Sequence, residues 1–488
     1  MQKKTLALLM CLLMLAPAVV ACAEKKDDGG AKSTGDQTSV ATDADTAETE
    51  IQDNLPEEKF DGYEFKITSL YEKDIGIEED TGEALDTAIF QRDQKIMERF
   101  DVKFVLNYYS DYSKANEAVR NVVGSMSTDE IDAAVLHMVD GSKMIAAGTY
   151  YAISDMPYIN LSQPYWDSAA SNAFGVGGKL YMTTGDICSS TLMRTSCMAF
   201  NKNLFRDKNL TEPYQLAYDG KWTLDSLYEY TRNSKDDLNG DGKYRENDDF
   251  FGMTSWHLDS PYSFYYGAGG SITQKDEDDL PYLDLNLEKN ANIYEKIYQV
   301  VIENESNYHT DINTYLNSYK VFLEGRALFC EASVDKFAQD DWRNMEQDYG
   351  VLPIPKYDES QEEYLSFVNG AAGLLCVPVS ISDAERTSII LEALACESYK
   401  KVTPVLYEIT AKTKGASRDL ESADMIDLVF RNRVFDFAYA NFFGNGIVDF
   451  VRDLLDRKST DVASTFSKNE KSLTKQMDKL IDKFQTNL

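Results

Sequence analysis

Asp237, Asn239 and Asp241, in the run Asp237-Leu238-Asn239-Gly240-Asp241-Gly242, are the residues whose types and spacing most directly suggest a chemistry. Oxygen ligands at positions 1, 3 and 5, with glycine at 6, open a calcium loop of the helix–loop–helix kind. Lys243 would then lend its backbone carbonyl, and Asp248 would occupy position 12. A carboxylate one methylene shorter than the usual Glu makes a bidentate contact harder, so weak affinity is expected. The expected cofactor is thus structural Ca2+, stapling a loop and taking no part in a reaction. A metal-free turn is the competing reading, because Asn-Gly and Asp-Gly favour turns unaided.

Catalytic chemistry finds few candidates. The chain has three histidines, His137, His257 and His309, which nearly excludes multi-histidine metal sites and leaves little for a Ser–His or Cys–His pair. No HExxH, GxSxG, P-loop or dinucleotide glycine pattern occurs, and Gly175-Val176-Gly177-Gly178-Lys179 lacks P-loop spacing. With 82 acidic residues, carboxylate pairs are inevitable and do not argue for glycoside hydrolysis, although a secreted glycosidase is the main enzyme alternative. Against 49 Lys and Arg, those acids leave a formal charge of −33. A nucleic-acid partner is therefore not expected, since phosphate binding requires a positive field.

The elements that would position a site begin after a leader. Lys3 and Lys4 precede an apolar run from Leu6 to Ala21, ending Val19-Val20-Ala21-Cys22. This is a signal-peptide pattern over residues 1–21, and its end resembles the lipobox of bacterial lipoproteins, which implies acylation of Cys22. An ordinary signal peptide with an incidental Cys22 is the alternative. Residues 22–56 read as a disordered acidic tether: positions 23–56 hold nine acids and no aromatic residue. Such a composition buries too little apolar surface to offset chain entropy. The five remaining cysteines, Cys188, Cys197, Cys330, Cys376 and Cys396, lie mainly in apolar segments and read as buried small hydrophobes, with one disulfide possible.

The body reads as alternating strands and helices. Tyr63–Ile67 alternates as a half-buried strand does; Leu85, Ile89, Arg92, Ile96 and Phe100 follow at near-helical spacing; Val102–Leu106 and the continuously apolar Ile131–Leu136 are further strands, with a helix over 114–123 between them. This order predicts a parallel sheet with ligands outside the C-terminal ends of its strands, near Tyr71 and from His137 to Asp140. A second region has strands at Cys197–Phe200 and Phe251–Ser255, a helix that turns into a strand through Gly325 within Phe322–Phe329, and a short strand over Tyr349–Lys356 broken by two prolines, with Trp256 and His257 just after Phe251–Ser255 and Thr223 capping a helix. From about Asp383 the chain reads as mostly helical.

Several segments, in order, resemble the sugar-binding, maltose-binding-like family 1 of extracellular solute-binding proteins of ABC importers: the lipobox with its tether, Phe200–Phe205 (FNKNLF) before Gly220–Leu227 (GKWTLDSL), Phe322–Phe329 (FLEGRALF), Asp348–Tyr364, and Phe367–Ser380 (FVNGAAGLLCVPVS). The resemblance implies an α/β fold of the two-lobed periplasmic-binding-protein kind, each lobe a mostly parallel sheet flanked by helices, with a hinge between. Lobe one would comprise residues 57–184 plus 370–430, lobe two residues 186–368, and the helices of residues 431–488 would pack across both. It implies a small-molecule solute, a sugar above all, a membrane permease as partner, a lipid anchor on the extracellular face of a bacterial membrane, and a monomer. Arg194, Tyr262 and Glu331 fall where the family contacts sugar, and Asp186 sits at the first hinge. Together with Tyr71, His137 and Trp256 they form the expected substrate site, against a competing reading of core packing for Trp256 and Tyr262 and of structural roles for the rest. A peptide or other solute, or an adhesin without a small ligand, are the further alternatives.

Overall fold

A computed structural model describes residues 51–486 apart from 75, 312, 313, 315, 316 and 412–419. The described residues belong to one compact unit, 51–488. The signal peptide, Cys22 and most of the expected tether lie outside the described residues. The last six tether positions, however, belong to the body: Asp53 pairs with Arg99 at 2.5 Å, and Leu55 is buried in the core.

Among the described residues the strands are β1 (Tyr63–Ser69), β2 (Val102–Tyr108), β3 (Ala133–His137), β4 (Met182–Thr183), β5 (Ser196–Asn201), β6 (Phe251–Ser255), β7 (Thr273–Lys275), β8 (Pro281–Leu283), β9 (Asn307–His309), β10 (Ala327–Ser333), β11 (Tyr349–Leu352), β12 (Ser366–Phe367), β13 (Gly373–Cys376) and β14 (Arg433–Val434). They make two five-stranded sheets, in the orders β2-β1-β3-β13-β4 and β11-β5-β10-β6-β9. In each sheet four strands run one way and one is reversed: β13 is antiparallel to β3 and β4, and β5 is antiparallel to β10 and β11.

The first sheet follows from its side chains. Phe65 and Ile67 of β1 are buried on alternate positions, and the apolar run Ala133–Leu136 of β3 is buried on both faces, as a central strand must be. The helix Ala84–Phe100 lays Ile89, Arg92, Ile96 and Phe100 against the core and stops at Asp101 in the left-handed conformation. Arg92 is fully buried yet satisfied: its guanidinium donates to Asp93 at 2.6 Å and to the Ser398 hydroxyl at 2.9 Å. In the second sheet the helix Leu224–Thr231 starts at a reciprocal cap between Thr223 and Ser226. Trp222 stacks on Phe329 of β10 at 5.6 Å and donates its indole N–H to the Pro353 carbonyl. Gly325, at φ +73°, ends the helix Asn317–Leu323 and turns the chain into β10. The five cysteines are buried as free thiols.

The chain passes from the first sheet to the second between β4 and β5, and returns between β11 and β13. Three extended segments lie side by side there: Thr195 bridges Val368, the Asn369 N–H donates to the Arg194 carbonyl, and β12 pairs with β14. The helix Ala384–Ala411 runs along both sheets. Its first half packs on Ala84–Phe100, while Leu406 and Tyr407 join the core around the second sheet. The helix Leu420–Arg431, assigned from sequence to lobe one, packs on β11 instead, where Ser422 bonds the Tyr214 hydroxyl at 2.7 Å and accepts from the Val351 N–H. An apolar helix face does not itself specify which of two sheets will cover it. Beyond residue 431, Phe437–Phe442 packs on the short helix Met138–Ser142 of the first lobe, and Phe450–Asp456 on Ser260–Gly267 of the second.

Candidate functional site

A cavity of about 420 Å³ opens where the C-terminal ends of β3, β6 and β10 face one another across the connecting segments. The first lobe contributes His137, which ends β3, then Asp140 and Lys143, and Tyr112 from the start of the helix Tyr112–Gly124. The second contributes Trp256, Leu258 and Asp259 after β6, and Ser333 and Lys336 at and after the end of β10. Arg194, Asn369, Gly370 and Ala371 line it from the connections, and Tyr439 and Phe443 from the C-terminal part of the chain. Of the residues singled out from sequence, His137, Arg194 and Trp256 are thus brought together.

Most charges of the cavity are already paired. The Asp140 carboxylate lies 3.2 Å from His137 Nδ1 and 3.0 Å from Lys143 Nζ. Burial holds the His137 pKa below its ordinary value despite Asp140, so the ring is neutral at physiological pH. Tyr112, 49% exposed, lies against the His137 ring with centroids 5.5 Å apart, giving the first lobe an aromatic rim. Arg194 donates to Asp335 at 2.9 Å, and Lys336 stands 3.7 Å from the same carboxylate. Asp259 is half-buried, and no hydrogen bond or ion pair holds its carboxyl group among the described residues. Desolvation, then the Glu331 charge, pushes its pKa up to about 8 against the opposing pull of Arg194 and Lys336.

The other expected residues stand elsewhere. Glu331 lies within β10, which runs on to Ser333, and is buried behind the cavity. It accepts from the hydroxyls of Ser260 at 2.6 Å and Ser263 at 2.8 Å, and Ser260 in turn accepts the Trp256 backbone N–H at 2.7 Å. Glu331 therefore positions the turn that carries Trp256 and Asp259. Tyr71 donates its hydroxyl to the Ala371 carbonyl, supporting the cavity wall from behind. Tyr262 is core: 1% exposed, it donates to Asp449 at 2.6 Å and packs on Tyr439 at 5.1 Å and Phe443 at 6.0 Å, so it backs two lining rings and presents no face to a ligand. Asp186 accepts from Thr403 and lines a separate cavity of about 630 Å³ with Asp167, Tyr407 and Arg433. There Arg433 is bound to Asp167 at 2.6 and 2.8 Å, and Asp186 has its hydroxyl donor.

In the acidic loop, Asp237 accepts from the backbone N–H groups of Gly240, Asp241 and Gly242, Asn239 accepts from that of Asp241, and Asp241 pairs with Arg245 at 2.5 Å. Asp249, absent from the expected ligand set, is the buried acid here, accepting from the Leu238 and Arg245 N–H groups. Among the described residues no three His, Cys, Asp or Glu side chains converge as a metal cage. The Lys243 backbone N–H donates to Asp241 at 2.9 Å, and that of Asp248 to the Arg245 carbonyl at 3.2 Å.

Sequence reading missed Tyr112, Asp259, Lys336, Tyr439 and Phe443. The rule that led to His137, that ligands collect beyond strand C-termini, would have reached Asp259 and Lys336 had it been applied to β6 and β10. Nothing local marks Tyr439 or Phe443, which arrive through the packing of a distant helix.

No family profile and no curated protein matches the sequence. Solved structures do share the fold. An ABC substrate-binding protein from Listeria monocytogenes in complex with cycloalternan superposes with a TM-score of 0.55 at 13% identity, over 86% of this chain and 100% of that one. A cyclo/maltodextrin-binding protein complexed with maltotetraose gives 0.55 at 12%, over 88% and 99%. UgpB from Mycobacterium tuberculosis, in complex with glycerophosphocholine, gives 0.53 at 16%, over 86% and 99%. The chain has the two-lobed fold of these binding proteins.

Proposed function

We propose that this protein is the solute-binding subunit of an ABC importer, which captures a sugar or oligosaccharide in the cleft between its lobes and passes it unchanged to a membrane permease. The observation that carries the reading is the cavity itself. It is walled by both lobes and by the segments connecting them, so a solute bound there touches every part that a hinge motion would move. Its chemistry suits a sugar: the rings of Tyr112, Trp256, Tyr439 and Phe443 match C–H faces, while the Arg194 and Lys336 heads and the hinge amides match hydroxyls. The bound ligands of the similar structures, cycloalternan and maltotetraose, support that class. A thermal-shift and calorimetric screen of mono- and oligosaccharides, with amino acids and peptides as controls, tests it. Stabilisation by one carbohydrate class, with the recovered ligand chemically intact, is the expected result; a response to peptides alone would replace it.

The site works as an extracellular, monomeric, lipid-anchored receptor in this proposal, held by acylated Cys22 on the 22–56 tether. No helix among the described residues is long and apolar enough to cross a membrane. Detergent partitioning of the native protein, lost on Cys22→Ala, is the expected behaviour. The spacing of Asp237, Asn239, Asp241 and Asp248 supports a weak structural Ca2+ site, in which the ion would have to displace Arg245 from Asp241. Melting with and without chelator decides between ion and turn.

A further inference from the structure

The charges around the second-lobe side of the cleft do not balance. Asp259, Glu331 and Asp335 are three carboxyl groups, and the cations that face them are Arg194 and Lys336. Both cations are engaged by Asp335. Glu331 is satisfied by two serine hydroxyls. On the first-lobe side, Asp140 is matched by Lys143, and His137 is neutral. Among the described residues Asp259 is left without a hydrogen-bond or ion-pair partner for its carboxyl group at the wall of the cavity, in company with the Trp256 indole and the Tyr439 phenol.

A carboxylate in that position is costly once a cleft closes and water leaves, unless the occupant supplies charge or the group keeps a proton. In the empty cleft burial keeps a proton on Asp259 up to about pH 8, and a neutral polyol leaves it there, whereas a cationic occupant displaces it and pairs with the carboxylate. An ammonium group supplies charge and donors together, and aromatic faces attract it further. We propose that the solute of this cleft carries a positively charged nitrogen, seated on Asp259 and against the rings of Trp256 and Tyr439. This rests on the solute-binding reading and narrows it from sugars in general to amino-bearing ones.

Matched pairs test it on the full chain. Calorimetry at pH 7 compares glucosamine with glucose and N-acetylglucosamine, and the chitosan disaccharide with N,N′-diacetylchitobiose, with choline as a cation lacking the sugar. At least tenfold tighter binding of the free amines is expected in the wild type, falling to parity in Asp259→Asn, which keeps the shape and the hydrogen-bonding capacity but not the charge. Neutral sugars bound as tightly as amines, in a wild-type protein that does bind sugars, would overturn the inference and leave the sugar reading standing. Binding of choline alone, abolished in Asp259→Asn, would uphold the cation and remove the sugar. Absence of binding across the whole panel would sink both. The wild-type comparison needs no variant, so it holds even if Asp259→Asn folds poorly.

Discussion

At the residue scale, three side chains separate recognition from scaffolding. Trp256 lines the cavity, while Tyr262, six positions on, is sealed in the core. Trp256→Ala is expected to weaken ligand binding by about 1–3 kcal/mol, roughly 5- to 150-fold, with little change in melting midpoint. Tyr262→Phe removes the donor to Asp449 and should lower stability by about 1–3 kcal/mol while leaving affinity nearly intact. Calorimetry and denaturant melts on the two variants distinguish these roles. Asp259 has a pH signature. Its folded pKa, about 8, lies above the ordinary 3.8, so between those values the folded protein holds a proton that the unfolded chain releases. Stability should therefore fall as pH rises from about 4 to 8. Asp74, Asp132 and Asp186, each pushed up to about 6 by burial, act in the same direction at lower pH. The part of the decline between pH 6 and 8 should flatten in Asp259→Asn; an identical slope in both proteins would show that Asp259 does not titrate there.

At the scale of elements, the site depends on a turn and a close approach. Ser260 links Glu331 of β10 to the Trp256 backbone. Ser260→Ala leaves one buried donor and one buried carboxylate oxygen without that partner, and is expected to cost about 1–3 kcal/mol of stability and to loosen binding through the Trp256 turn. Comparing it with Ser263→Ala, which bonds Glu331 and the Asp259 carbonyl but not the Trp256 N–H, isolates the contact to the Trp256 backbone. Gly370 is a packing requirement of the connection: a Cβ there would fall 2.6 Å from Val139 Cγ2 and 3.0 Å from the Tyr439 hydroxyl. Gly370→Ala should destabilise by about 1–3 kcal/mol and distort the cavity wall that these two residues share. Much of the element level was legible beforehand. The alternation of β1, the capping Thr223 and the Gly325 turn are local physics, carried by neighbours in the chain. Where Leu420–Arg431 would dock was not legible, because its apolar face suits either sheet and only the filled volume beside β11 decides.

At the scale of the whole molecule, the two sheets, each with one reversed strand next to the connecting segments, place the cleft where both lobes can grip one solute. If hinge closure accompanies capture, saturating ligand should contract the small-angle scattering profile of the wild type, and Trp256→Ala should require more ligand for the same change. A profile unmoved at saturation, confirmed by calorimetry, would mean capture without closure.

From the chain alone came the strand–helix alternation, the few histidines, the acidic balance that speaks against nucleic acid, and the placing of His137 and Trp256 at strand ends, since each depends on residue type or on neighbours a few positions away; Arg194 came only through the family resemblance. Which aromatic residue faces the cavity and which faces core, the retreat of Glu331 and Tyr71 behind the wall, the arrival of Tyr439 and Phe443, and the isolation of Asp259 were decided by the tertiary structure. Burial and charge pairing are properties of what surrounds a side chain in space, and residues 194, 259, 331 and 439 become neighbours only when the chain has crossed between its two sheets.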